Sequence, residues 1–224
     1  MNTLLDLQPG LIWTYRQTLF EALLITLWLT VASSIAGISV GVVLAVAERL
    51  IGRSLSWLVT CYVELFRNTP LLVQLMWMHF ALPMITGVPL TPSQSGFFTL
   101  TLSAGAYFTE IVRGGIVAIP RGQWEASNAL GLPRWLTFRL VILPQALRIM
   151  MPPLVNMILS VFKGTTIMSI LSVGELLQNV SRISNYTFRS VEIFTFAALI
   201  YLLIGLSFDM LARHLESHLR QSGR

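Results

Sequence analysis

Apolar residues run along this chain in long blocks. They neither alternate nor recur on a single helical face. Ala22 to Ala47 contains no charged side chain, and about 20 such residues span the hydrocarbon core of a bilayer as a helix. Four further blocks follow. Trp57 to Leu82 holds Glu64 and Arg67, and Phe97 to Ile119 holds Glu110 and Arg113. Pro144 to Phe162 has Arg148 near its start and Pro152-Pro153 inside it, and Ile193 to Leu211 has Asp209 near its end. The connections are a short Glu48–Ser54 loop, a Pro/Gly-rich loop near Pro83–Gly96, a polar segment over about 120–143, and a long Gly164–Glu192 segment. The pattern predicts an all-α membrane protein with five transmembrane helices in a single domain, 1–224.

Composition agrees. The 224 residues are 54% hydrophobic and 11% charged, whereas a soluble domain is nearer one quarter charged. The net charge of +5 raises the question of nucleic acid, but the basic residues are spread along the chain and flank apolar blocks. That distribution fits a membrane and no nucleic-acid partner. Cys61 is the only cysteine, so no internal disulfide forms. Asp6 precedes any basic residue, so no cleavable signal peptide is expected. Arg49 and Arg53, then Arg121, Arg134 and Arg139, then Arg213, Arg220 and Arg224 fall on one side of a five-span chain. The positive-inside rule then puts the N-terminus outside and the C-terminus in the cytoplasm.

The polar segment carries the most specific signal. Trp124, Ala126, Ala129 and Leu130 can share parts of one helical face, Gly131 can end that helix in a left-handed cap, and Pro133 blocks its continuation. A short amphipathic helix of this kind suits docking into a partner's groove; resting on lipid headgroups is the other reading. Glu125-Ala126-Ser127, three residues, Gly131, nine residues, then Val141-Ile142-Leu143-Pro144 resembles the "EAA" loop of permease subunits of bacterial ABC importers. Ser127 stands for the second Ala and Val141 for the Ile. The run Tyr62 to Gln74 resembles the second span of polar amino-acid permeases of the histidine/glutamate/glutamine type. Ala106 to Ile116 with Gly122-Gln123, Leu143 to Arg148, and Pro152 to Asn156 resemble later parts of the same family. The resemblance covers a core of about 18–213.

Ionisable residues inside spans are functional candidates because burial in lipid costs several kcal/mol. Glu64 and Arg67, like Glu110 and Arg113, are three apart and can pair on one helix face. Self-neutralisation near the cytoplasmic edge is expected over substrate contact. An internal echo between Tyr62-x-Glu64-x-x-Arg67 and Tyr107-x-x-Glu110-x-x-Arg113 is weak, since the spacing differs by one. Lys163-Gly164-Thr165-Thr166 lies beyond the Pro152-Pro153 pair, where a broken helix can expose backbone to a cavity. In the resembling permeases Lys is usually followed there by Asp or Asn, near the substrate path. With Gly164 in place of the acid, the resemblance implies acidic or neutral polar amino acids such as glutamate, aspartate or glutamine. A snorkelling Lys163 is the other reading.

Other chemistry is disfavoured. Gly37-Ile38-Ser39-Val40-Gly41 matches a nucleophile-elbow pattern but lies mid-span, where the same glycines allow close helix packing. His214 and His218 have metal-ligand spacing in a basic tail, where a solvated helix is expected; His79 reads as a packing residue, and no metal or cofactor is expected. Lys163 is the only lysine and follows Phe162, so the chain holds no P-loop. The resemblance therefore implies a transport subunit in the bacterial inner membrane that is not itself an enzyme. Its expected partners are two ATP-binding subunits, a second permease chain (identical or related), an extracytoplasmic amino-acid-binding protein and membrane lipid. In that family the helix around Glu125, Ala126, Ser127 and Gly131, closed by Pro144, couples to the ATPase. The rival readings are an ion-gradient-driven secondary carrier using Glu64 or Glu110, and a membrane anchor that does not transport.

Overall fold

The first apolar block has no proline to interrupt it, and it forms the longest helix, α2 (Arg16–Ile51), 36 residues long after the single turn α1 (Gly10–Thr14). The computed structural model describes residues 10–51 and 53–221. Asp6 and Arg224 lie outside them, as do the side chains of Arg53, His218 and Arg220. The loop expected at Glu48–Ser54 is mostly helical: α2 runs to Ile51, and α3 (Arg53–Asn68) begins two residues later.

The second block is not one straight span. Pro70 has no amide hydrogen and disfavours a helical residue before it, so α3 stops at Asn68. The chain resumes as α4 (Leu71–Met76), a π-helical turn over Trp77–Ala81, and α5 (Leu82–Thr86), bent by 107° from the helix before it. Gln74 fills the elbow. Its Nε2 donates to the Phe66 and Thr69 carbonyls, both at 2.8 Å, supplying donors that the break removed. The Leu82 amide donates to the Trp77 carbonyl, five residues back, and Pro83 follows. The second π-helical turn, Thr137–Ile142, ends alike: the Leu143 amide donates to the Phe138 carbonyl before Pro144. In both places a proline without a donor follows a widened turn.

The Pro83–Gly96 loop shrinks to a turn over 87–91, with Gly87 at φ 73°. The helix α6 (Pro92–Val117) opens on a capping box: Thr91 Oγ1 accepts from the Gln94 amide, and Gln94 Oε1 accepts from the Thr91 amide. Next come α7 (Arg121–Ala129), at 57° to α6, the turn α8 (Arg134–Leu136), and α9 (Leu143–Gly164). No break occurs at Pro152-Pro153, contrary to expectation; α9 runs through both. The carbonyls that lose their donors belong to Arg148 and Ile149, which lie on an exposed face. The change of pitch comes later, in a 3₁₀ segment over Thr165–Leu171. The chain ends with α10 (Leu176–Thr187) and α11 (Ser190–Gln221). Among the described residues three helical stretches, Arg16–Arg49, Arg134–Leu171 and Ser190–Leu215, are each long and apolar enough to cross a membrane; counting each bent pair as one span gives five.

The centre lies where α2 and α6 pack together along much of their length. A Cβ on Gly41 would fall 2.6 Å from Phe108 Cβ and 2.8 Å from the Phe108 and Thr109 backbone, so the Gly-x-x-x-Gly spacing is used for close approach. Leu29, Leu100, Phe108, Val161 and Met168 form the core beside this contact. A second cluster, with Ala45, Val112, Ile116, Ile142 and Met150, lies towards α7. The third, with Leu19, Leu176, Val180 and Ile193, joins α2, α10 and α11. Here Glu175 is wholly buried. Its carboxylate caps α10 by accepting from the Leu177 and Gln178 amides at 3.0 and 2.7 Å, and the Tyr201 hydroxyl donates to it at 3.3 Å. The Leu176 amide donates to Thr26 Oγ1 at 3.0 Å. Burial raises the Glu175 pKa to about 7 despite those donors.

Two outcomes follow from this packing. Gly41→Ala is expected to destabilise the solubilised protein by about 1–3 kcal/mol through overpacking, measured as a lower melting temperature. Gly205→Ala, with nothing within 4 Å of its Cβ, should change little. Because folding raises the Glu175 pKa, the folded state binds the extra proton; its contribution is full below about pH 4.5 and lost as pH rises through about 7. Melting curves in detergent should therefore show stability falling from pH 5 to pH 8, with a shallower slope in Glu175→Gln.

Candidate functional site

Three groups of candidate residues can be placed, beginning with α7. Pro120 precedes its first residue, where a missing amide costs nothing. Its two faces divide cleanly. Ser127 is 3% exposed and donates to the Gln123 carbonyl at 2.7 Å. Trp124 packs against the Ile119–Ile142 cluster, so it does not share a face with Ala126, Ala129 and Leu130 as expected and belongs to the anchoring face. Glu125, Ala126, Ala129 and Leu130 point outward, Leu130 at 79% exposure. Gly131 has φ 71°. The Gly131 amide donates to the Asn128 carbonyl at 2.9 Å, and the Leu132 amide to the Ser127 carbonyl at 3.1 Å. This pair of bonds is the Schellman cap that Gly131 was expected to supply. Gln145 Nε2, one residue after Pro144, reaches back to Gln123 Oε1 at 3.2 Å and ties α7 to the start of α9. A cleft of about 350 Å³ lined by Trp124, Asn128, Arg134 and Thr137 lies beside α7.

The second group is charged. Arg113 pairs with Glu110 at 2.6 Å as expected, but it also reaches Glu48 at 2.6 Å. Arg67 does not pair with Glu64. It crosses to Glu110 at 3.5 Å, while Glu64 accepts from Asn68. The reason lies in the elbow: α3 crosses α6, which puts Arg67 over the Tyr107 ring at 5.6 Å and beside Glu110. Glu48 also accepts from Ser56 Oγ at 2.7 Å. Four ionised side chains of balanced sign thus join α2, α3 and α6. The sequence pointed to two separate i,i+3 pairs and missed Glu48, which directly follows the charge-free Ala22–Ala47 block within α2.

The third group surrounds the end of α9. Lys163 is exposed and Thr165 buried; the Thr165 and Thr166 hydroxyls donate to the Phe162 and Lys163 carbonyls at 2.8 and 2.7 Å. Gly164 packs between α4 and α6, where a Cβ would lie 3.2 Å from both Leu71 Cδ2 and Leu100 Cδ2. Lys163 therefore sits next to the elbow between α3 and α4. An apolar cleft of about 550 Å³, lined by Leu65, Phe66, Thr69, Val73, Gln74 and Trp77 among others, occupies the elbow itself. Among the described residues no cluster of three or more His, Cys, Asp or Glu could hold a metal. His79 Nδ1 lies 2.9 Å from Ser95 Oγ, the packing role expected of it.

Residues 37–221 match the family model described as the binding-protein-dependent transport system inner membrane component. The glutamine transport system permease protein of Escherichia coli (strain K12) is 36% identical over 93% of this chain and 96% of its own length. The arginine transport system permease protein of Bacillus subtilis (strain 168) is 32% identical over 91% and 93%. A glutamate/aspartate import permease protein of Escherichia coli O6:H1 is 33% identical over 88% and 92%. A crystal structure of an amino acid ABC transporter with histidines superposes with a TM-score of 0.87 at 29% identity, covering 92% of this chain and 96% of that one.

The cap on α7 gives a direct check. Gly131→Ala forces a Cβ into the left-handed region, at about 1 kcal/mol. Hydrogen exchange at the amides of residues 131 and 132 should then quicken about fivefold. Gly122→Ala, whose Cβ meets nothing within 4 Å, should leave it unchanged.

Proposed function

The chain belongs to the binding-protein-dependent transport system inner membrane component family, and from that premise we propose that it is the membrane-spanning permease subunit of an ATP-driven amino-acid importer, docking its ATPase through α7. The observation that carries the docking is the division of α7: Trp124 and Ser127 anchor it, while Glu125, Ala126, Ala129 and Leu130 stay outside. A helix so held from behind presents its free face for helix-in-groove recognition. In this reading α7 and the C-terminus are cytoplasmic, the side the excess of arginines favours, and the turn at 87–91 is outside. Two permease chains and two ATP-binding subunits form the transporter, and an extracytoplasmic binding protein delivers the solute. ATP binding closes the ATPase pair, moves both α7 helices, and switches the permease between inward- and outward-facing states.

The substrate is a polar amino acid, with glutamine, glutamate or aspartate favoured. The relatives carry glutamine, arginine and glutamate/aspartate in their names. Gly164 leaves no carboxylate beside Lys163 to hold a cationic side chain, and its tight packing against Leu71 and Leu100 leaves an acid little room. The exposed Lys163 ammonium suits a carboxylate.

Co-expression with the ATP-binding subunit, followed by pull-down from detergent, tests the docking. Wild type should retain the subunit, and Glu125→Ala/Gly131→Asp should lose it while still inserting in the membrane. Equal retention by both would refute docking through α7.

A further inference from the structure

The four-residue charge chain is more than local neutralisation. Arg113 lies about one turn before the end of α6, and α7 follows from that end through Ile119-Pro120. Its guanidinium is used on two sides: Nε and Nη2 donate to Glu48 Oε2 at 3.1 and 2.6 Å, and Nη1 donates to Glu110 Oε1 at 2.6 Å. Glu110 Oε2 passes the contact to Arg67 at 3.5 Å. Tyr107 adds its ring under Arg67 and its hydroxyl to the Arg67 carbonyl at 3.5 Å. Arg67 is three residues from Pro70, where the elbow turns, and Leu71 just beyond it lies against Gly164, next to Lys163.

We propose that Arg113 is a positioning residue for energy coupling: the chain Glu48–Arg113–Glu110–Arg67 makes the lower part of α6 and the α3–α4 elbow move together, so that displacement of α7 reaches the Lys163–Thr166 segment. The proposal rests on the importer reading above. Two features favour it over simple packing. The chain joins three helices across their side chains, whereas an i,i+3 pair within α6 would neutralise Arg113 without Glu48 or Arg67. These ions are also only partly buried, with side-chain exposures between 18% and 38%, so they retain water and can exchange partners at modest cost. A packed apolar contact would stabilise as well but could not trade partners.

The test is the amount of solute moved per ATP hydrolysed. The permease, its ATP-binding subunit and its binding protein are reconstituted in liposomes, with a ¹⁴C-labelled amino-acid mixture as solute. Arg113→Gln should keep the ATP-binding subunit on pull-down, since α7 is intact, but lower the solute-to-ATP ratio about tenfold. Arg113→Lys, which keeps a cation between Glu48 and Glu110, should recover at least half of that loss, which a residue serving only to fill space would not do, since Gln and Lys are of similar size. An unchanged ratio in Arg113→Gln overturns the proposal, and so does a loss of subunit retention that Arg113→Lys fails to restore. Should Arg113→Gln not accumulate, Arg67→Gln decides: its ratio falls severalfold with retention intact, or the proposal is wrong. If wild type itself fails to retain the subunit, the importer reading fails and this proposal with it.

Discussion

At Gly41, α6 lies against α2 with the Phe108 and Thr109 backbone where a side chain would have to stand. In lipid, helices gain nothing from hiding apolar surface from one another, so van der Waals contact at short range must hold them together. The rest of the molecule is arranged on that contact. α3 docks on α6 through the Tyr62 hydroxyl, which donates to the Leu102 carbonyl at 2.6 Å. The 3₁₀ segment reaches α6 through Met168, packed on Gly96, and α9 through Met150, packed on Gly115. Small residues on α6 thus admit a neighbour at each level, and α7 inherits its position from the same helix.

Prolines set where this frame bends. Pro70 makes the elbow, and Pro83 and Pro144 follow the two π-helical turns, while Pro152 and Pro153 leave α9 continuous. The difference is what replaces the lost donors and which side the freed carbonyls face. At the elbow Gln74 takes over the Phe66 and Thr69 carbonyls. Within α9 the carbonyls freed by the proline pair are those of exposed residues. A break in a membrane helix persists where its backbone groups find other partners, and Gln74 makes that possible here.

Much of this was legible in the sequence. Charge-free length revealed α2, and Gly131 followed by Pro133 revealed the cap of α7, because each depends on a few consecutive residues. The inward turn of Trp124 was not legible: Trp124 and Leu130 are equally apolar, and only the packing of Ile119 and Ile142 decides which of them is anchored. The Arg67–Glu110 contact was equally hidden, since it needs α3 and α6 to cross at the elbow, and Glu48 was assigned to a loop that is in fact helix. Glu175 gave no local sign of burial; its carboxylate meets Tyr201 and the neighbouring Leu176 amide meets Thr26, both far away in the chain. Periodicity reports faces and ends of single helices, and the connections between helices are set by crossings that it does not encode.

On the proposed reading this chain moves amino acids with energy taken from a partner's ATP. Uptake of the ¹⁴C-labelled amino-acid mixture into proteoliposomes holding the complete transporter tests it most directly, with ATP inside or outside and with ionophores present or absent. Uptake that requires ATP on the side of α7 and persists when proton and sodium gradients are collapsed is the expected result. Uptake by the permease chain alone, independent of ATP and abolished by ionophores, would contradict it and point to a gradient-driven carrier.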